Sequence, residues 1–494
     1  MNSRKQIVSS DGKSCRDVRP SQRASALPVR NPRFAVLLKY LIVFVCLIVG
    51  YLLVAFGTNL LPQKPIVRHA QKTLAKGDLQ NDFWFTFTCT PAHYIDNFTD
   101  ALILNQTVSG GSDDLVTSAM LLPRAEGYGE QCAALRALLD GEDLPLEFYP
   151  RYWHGSTFLM RVLLQFGDYR DLRLLFYALS SLLLLWMLWA LGRKVGVWAS
   201  ALCLLALTFV NFFIMQFSIQ FLPVLMLAVA GALWVLYRVR RPAQLCMTLF
   251  VVGSLTSFFD LLTCPLLTWG IPIFVYLLMR RNMVETMWQK LWQIVRSALL
   301  WAVGYGGTWV SKWLLASALT SYPVVHDAIR QSGVRAAGGD DFSRWDACLR
   351  NMDLITWKYV ALVVIVLAVL AVLAFNRKGL KTALPCLVVA LAPWVWYAVL
   401  ANHSYLHYWF TYRLLALTLM GLFFAMASLV DWKKVSGLTR FLQKSDESGA
   451  FGKSGKTGAP GTSGPPGISG KSGISGESAP SAIPAPSVTV HSTR

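Results

Sequence analysis

The sequence predicts an all-α polytopic membrane protein of about ten transmembrane helices, and three observations carry that expectation. Of 494 residues, 54% are hydrophobic and only 15% charged, where an average soluble chain carries about 25% charged; mean hydropathy is +0.45. Aromatic residues reach 13%, as belts of Trp and Tyr at two membrane surfaces require. Apolar runs close to the roughly 20 residues that cross a hydrocarbon core of about 30 Å recur along the chain. A single soluble globule, a coiled coil and a disordered regulator are excluded. The net charge of +19, from 46 Lys+Arg against 27 Asp+Glu, does not point to nucleic acid, because the basic residues stand in short clusters between apolar runs rather than along one face.

The runs lie at about 34–56, 173–191, 197–214, 219–237, 244–259, 261–279, 295–318, 357–375, 382–401 and 411–431. Each reads as a helix, since backbone N–H and C=O groups inside a bilayer must bond within their own segment. Lys and Arg set the orientation. Residues 1–33 form a basic segment holding Arg4, Lys5, Arg16, Arg19 and Arg30. With that end cytosolic, Arg193–Lys194, Arg238–Arg240–Arg241, Arg280–Arg281, Arg377–Lys378–Lys381 and Lys433–Lys434 all fall on the same side. The expected localisation is a multi-pass cell-membrane protein with both termini in the cytosol. The first run is too long for a signal-peptide core, and no small-residue cleavage site follows it.

A transmembrane domain over 34–431 then has three extracytoplasmic parts: a long loop at 57–172, a second at 319–356, and the aromatic stretch Asn402–Arg413. A connection as long as the first is usually functional. Within it, Phe158–Phe166 has helical periodicity with Arg161 on the polar side, as in an interfacial helix. Residues 432–494 form a cytosolic tail in which every third residue from Gly449 to Ser478 is Gly. That period is collagen-like, but ten triplets with few prolines favour a disordered tail over a triple helix. No two of the nine cysteines stand in CxxC spacing, which gives no support to a zinc or thioredoxin-like site. Cys89 and Cys132 share the long loop, and their spacing leaves a disulfide undecided.

The informative residues of an apolar chain are the polar ones that a purely structural helix would not carry. Asp96 and Asp100 are four apart and would share one helix face. A partly desolvated carboxylate there suits a general base; an N-capping Asp followed by a solvated one is the structural alternative. Tyr149-Pro-Arg151-Tyr-Trp-His154-Gly155 offers Arg151, His154 and aromatic rings to a sugar or phosphate, against a role as belt anchors. Lys312, within an apolar run, either faces an anion or snorkels to the outer surface. Asp260 falls at an outer turn, where solvation is the simple expectation. His403 and His407 have the i, i+4 spacing of metal ligands, without an evident third ligand. Arg413, beside Tyr412, opens the last run on the outer side, where a guanidinium can hold a phosphate bidentately.

The order of these features resembles the GT-C superfamily of polytopic glycosyltransferases, which use polyprenyl-phosphate sugars. The likeness covers residues 34–240: one span, a long external loop with Asp96 and Asp100, Trp153-His154-Gly155, then Arg173-Leu-Leu-Phe and Gly192-Arg193-Lys194. Bacterial membrane proteins with similar Tyr-Trp-His-Gly and Asn-His-Ser-Tyr stretches share it. The acidic pair here is Asp-x-x-x-Asp, Gly-Ser follows His154 where the superfamily has Pro-Pro, and the Trp-Trp-Asp signature of oligosaccharyltransferases is absent. The resemblance implies transfer of a sugar from a polyprenyl-phosphate donor to an extracytoplasmic glycan, lipid or protein. Asp96 and Asp100 would be catalytic, with Arg413, Lys312, His154, Arg151, His403, His407 and Tyr412 near the donor phosphate or substrate. No cofactor is certain, and a divalent metal is optional. The competing class is a transporter or flippase of a lipid-linked sugar or small solute, although no matched halves are visible.

Overall fold

The computed structural model describes residues 32–85, 90–111, 114–339 and 341–437. The first apolar run forms α1 (Pro32–Asn59), an uninterrupted helix whose Leu37, Leu41, Val45 and Leu53 stay exposed, as a lipid-facing surface does. The long outer loop is folded. In order it contains α2 (Gln63–Ala75), β1 (Phe83–Phe85), β2 (Tyr94–Asp96), α3 (Asn97–Ser109), α4 (Leu115–Met120), β3 (Pro123–Ala125), α5 (Gln131–Leu139), β4 (Leu146–Phe148) and α6 (Gly155–Leu163). β1 pairs antiparallel with β2, placing Phe83 opposite Asp96, and β3 pairs with β4. Strands of three residues are too short to show an alternating pattern in sequence.

Two expectations for this loop are corrected. Asp96 and Asp100 do not share one helix face: Tyr94–Asp96 is strand, Asp100 lies inside α3, and α3 is buried on nearly every side, packing against α5 and α6. Helix α6 does leave Leu159 and Val162 partly exposed, but Arg161 points inward rather than to water. Its guanidinium donates to the carbonyls of Thr58 (3.0 Å) and Thr107 (2.6 Å) and to Oε1 of Gln63 (3.1 Å). Cys132 carries a free, buried thiol, and Cys89 lies outside the described residues, as do the basic segment up to residue 31 and the collagen-like repeat.

The body continues with α7 (Tyr169–Lys194), α8 (Val197–Phe209), α9 (Leu222–Arg238), α10 (Pro242–Phe259), α11 (Leu267–Met279) and α12 (Met287–Leu319). The second outer loop supplies α13 (Val324–Ala336) and α14 (Arg344–Met352). Then come α15 (Trp357–Leu373), α16 (Leu380–Ala390), α17 (Ala392–Val399), α18 (Ala401–Leu406), α19 (Tyr408–Thr411) and α20 (Leu415–Ser428). Every predicted run is occupied by helix. Among the described residues, five segments are long and apolar enough to cross a membrane: Arg33–Asn59 of α1, α7, α10, Arg377–Val399 and Tyr408–Ser428; there are six if α14 and α15, bent by 78°, make one span. Helices α8 and α11 have 13 residues each, about 20 Å at 1.5 Å per residue, short of a core about 30 Å thick. The molecule is thus an all-α membrane protein in its body, with an outer loop that adds two small strand pairs.

The principal core joins α7–α12 to α15, α16 and α20. Its closest helix contact is between α10 and α12, where Gly253 and Gly304 let the backbones touch: a Cβ on Gly253 would lie 2.3 Å from the Trp301 carbonyl oxygen, and one on Gly304 2.1 Å from that of Phe250. Small residues at such crossings replace the hydrophobic drive that lipid removes. Gly304→Val is expected to force these helices apart, destabilising the protein by about 1–3 kcal/mol or more, read as a lower melting temperature in detergent.

Candidate functional site

A cavity of about 540 Å³ opens where the 57–172 loop meets the body helices. Its lining comes from segments far apart in sequence: Asp82 and Phe83; Asp96, Phe98 and Thr99; Tyr149 and Tyr152; Gln220; Leu261; Arg335; and His403, His407, Trp409 and Phe410. Three of the site residues expected from sequence therefore line it, namely Asp96, His403 and His407.

Asp96 ends β2 and caps α3. Its Oδ1 accepts from the Thr99 amide (3.0 Å) and its Oδ2 from the Thr99 hydroxyl (3.1 Å). An aspartate is favoured here because it satisfies an amide that the first helical turn leaves unbonded. Only 2% exposed, it has its pKa raised to about 7, first by burial and then by the nearby Asp100, against the Thr99 bonds. Two donors occupy a carboxylate with about four acceptor positions, leaving lone pairs for a substrate proton. Asp82 meets the start of α5 from a distant part of the chain, accepting from the amides of Gln131 (3.2 Å) and Cys132 (2.9 Å).

Asp100 is absent from the cavity wall, and it is not the solvated carboxylate of the structural alternative. It is fully buried and accepts from four groups: Arg173 Nη2 (3.3 Å), the Tyr169 hydroxyl, the Ser218 hydroxyl (2.8 Å) and the Gln220 amide (3.3 Å). Its acceptor positions are filled, and through them it anchors α3 to α7 and to the turn before α9. Arg173 also reaches Asn97 Oδ1 (3.1 Å), tying the start of α3 to α7.

The histidines are electrically neutral. His403 donates Nε2–H to the Leu262 carbonyl (2.8 Å), a partner that only accepts and so fixes the tautomer. Burial, then His407 and Arg335, hold its pKa well below the usual value; burial and Arg335 bring His407 to about 4. Their rings lie 4.8 Å apart. Among the described residues no group of three His, Cys, Asp or Glu side chains is arranged to hold a metal.

The remaining expected residues stand behind the walls. His154 adopts φ +57° and donates Nε2–H to the Tyr149 carbonyl (3.0 Å); burial, then Lys312, lowers its pKa to about 3. Its ring packs edge-on against Tyr149 and Tyr152, which do line the cavity, whereas Trp153 turns inward and donates to the Thr308 carbonyl (2.8 Å). Gly155 is required by packing, since a Cβ there would sit 2.5 Å from the Phe258 ring. Arg151 pairs with Asp327 (2.9 Å) beneath the Tyr149 ring. Lys312 does not snorkel: fully buried, it donates to the carbonyls of Met120 (2.9 Å) and Ala119 (3.3 Å). Arg413, equally buried, donates to the carbonyls of Trp409 (3.0 Å) and Ala92 (3.4 Å), and the Tyr412 hydroxyl bonds at Asn211, Val210 and Ala92. Asp260 is not solvated but buried, accepting from Leu262, Thr263 and Tyr305.

A second groove of about 420 Å³ lies between the C-terminal end of α8 and the N-terminal end of α15, lined by Ala92, Leu205, Phe209, Asn211 and Tyr359 among others. Arg413 therefore bonds one residue of this groove, Ala92, and one of the cavity, Trp409. Sequence reasoning did not single out Arg335 or Gln220. Neither stands in a motif, and only the folded chain brings them beside Asp96.

The two aspartates are separable by stability. Asp100→Ala removes the nearer carboxylate of the buried Arg173, leaving only Asp78 at 4.0 Å, and strands the donors that Asp100 accepted; it is expected to cost about 3 kcal/mol. Asp96→Ala loses a cap worth about 1 kcal/mol, whereas Asp96→Asn keeps it. Because folding raises the Asp96 pKa from 3.8 to about 7, its protonated form favours the folded state: that contribution is full below about pH 4 and lost as pH rises through about 7. The melting temperature of Asp96→Asn relative to the parent should rise across that window.

Comparisons of the chain with protein-family models, with curated proteins and with solved structures find no match.

Proposed function

We propose that this protein is a membrane glycosyltransferase of the GT-C kind. It moves a sugar from a polyprenyl-phosphate donor to an acceptor outside the cytosol, using ten spans with both termini inside. The observation that carries this reading is Asp96: a buried carboxylate with unused lone pairs in an aromatic-walled cavity. Such walls suit a sugar, whose C–H faces pack on rings while its hydroxyls need a few placed polar groups.

In this reading the acceptor hydroxyl enters the cavity from the aqueous side and the lipid-linked donor approaches along the second groove. Asp96 takes the hydroxyl proton as the acceptor oxygen bonds to the anomeric carbon, and the bond from that carbon to the phosphate oxygen breaks. The phosphate leaves with its lipid. His403 and His407, held neutral, orient hydroxyl groups without competing for charge, while Arg413 positions the wall that carries Trp409. A base with a pKa near the working pH is effective because it is ionised for much of the time yet still accepts a proton.

The test is release of polyprenyl phosphate and transfer of label from a glycosylated polyprenyl donor by the purified protein in lipid. Transfer should rise with pH about a midpoint near 7 as Asp96 ionises. Asp96→Asn should lower it by about 10²–10⁴-fold with expression and folding retained. Movement of the intact donor without release would instead identify a carrier, and unchanged transfer in Asp96→Asn would remove Asp96 as base.

A further inference from the structure

The interior cations of the outer half are consumed by identifiable partners. Arg173 is held by Asp100 and Arg151 by Asp327; Arg161, Lys312 and Arg413 are held by backbone carbonyls. Arg335, in the last turn of α13, differs. It is the one Lys or Arg among the described residues that line the cavity, and among the described residues no carboxylate forms an ion pair with it, whereas its neighbours Arg151 and Arg330 both pair with Asp327. It rests instead on tyrosines, with its guanidinium carbon 5.4 Å from the Tyr152 ring centroid and the Tyr149 side chain within hydrogen-bonding reach. Of the three acids on the same wall, Asp96 and Asp82 each bind the first amides of a helix, Glu130 is exposed and forms no ion pair with Arg335, and the two histidines bring no negative charge.

A guanidinium carries its N–H groups in a planar fork, and one that lies over a ring rather than against a carboxylate can receive an oxyanion on two parallel N–H groups. We propose that Arg335 is the anion-binding residue of the cavity and takes a phosphate or carboxylate carried by a substrate. The proposal rests on the cavity being the site of sugar transfer. The anion has two sources with the same chemistry: the phosphate that joins sugar to lipid, or an acidic group on the acceptor.

The experiment measures binding to the full-length protein in nanodiscs, with four probes: farnesyl phosphate and its neutral counterpart farnesol, glucuronate and its neutral counterpart glucose. Arg335→Gln, checked for an unchanged melting temperature, should weaken farnesyl phosphate at least tenfold if the anion arrives on the lipid, or glucuronate at least tenfold if it arrives on the acceptor. Farnesol and glucose should bind as before. Arg335→Lys should recover part of the loss, since it keeps the charge without the two-pronged geometry. Anionic probes that bind Arg335→Gln as tightly as the parent, or that do not bind the parent at all, would overturn the assignment. The two claims fail separately: Arg335-dependent binding without label transfer by the parent would remove only the transferase reading, and Asp96-dependent transfer with Arg335-independent binding would remove only this one.

Discussion

The seating of the 57–172 loop depends on a buried ion pair. Asp100 on α3 and Arg173 on α7 meet in an interior where the desolvation of either charge would be prohibitive alone, and Tyr169, Ser218, Gln220 and Asn97 complete their hydrogen bonding. The pair joins the outer loop to the first helix that follows it and to the turn leading into α9. Because Gln220 also lines the cavity, the same knot that docks the loop positions part of the site. A loosely attached loop would give Asp96 no fixed neighbours; this one is fastened four residues from the carboxylate in question.

That spacing explains why two aspartates of similar burial have different chemistry. Asp100 is one turn inside the helix, where its side chain projects toward α7 and meets four donors. Asp96 stands before the first turn, with φ −80° and ψ 79°, so the helix periodicity that would put both on one face does not apply to it. Its capping bonds come from one residue, Thr99, and burial outweighs them. Ionisation of Asp96 is therefore balanced near neutrality, while Asp100 is bound to a fixed counter-charge. The difference is one of partners rather than of depth.

The spans were legible in the sequence because a bilayer imposes a length and an apolar composition on any helix that crosses it, and each apolar run is indeed helical. Their number was less legible: α8 and α11 carry the composition without the length, and α12 has the length but holds Lys290, Arg296 and Lys312. In the site, Asp96, His403 and His407 could be singled out as polar groups in apolar surroundings, and they do converge. Arg335 could not, because before folding it is an ordinary loop cation in Gly333-Val-Arg335. Nothing local distinguishes it from Arg330, which is mostly exposed and pairs with Asp327. The tetrad Tyr149, Tyr152, Trp153 and His154 divides in the opposite way, two rings facing the cavity and two groups holding the wall, a division that adjacency in sequence conceals.

The residues that sequence placed near a phosphate, Lys312 and Arg413, show why a buried cation is weak evidence for an anionic ligand. A helix ends with carbonyls that have no partner within the helix and with the negative end of its dipole. Arg161 meets such carbonyls at the ends of both α1 and α3, through Thr58 and Thr107, and Lys312 meets those of Ala119 and Met120 at the end of α4. Each cation pins a segment of the outer loop to another element, and each helix end gains the charge that its dipole favours. In a chain that must seat a folded loop against helices in an apolar medium, such fastenings consume positive charge without any ligand. An interior cation becomes informative when neither carboxylates nor helix-end carbonyls bind it, and among the described residues of the cavity wall Arg335 is the cation in that position.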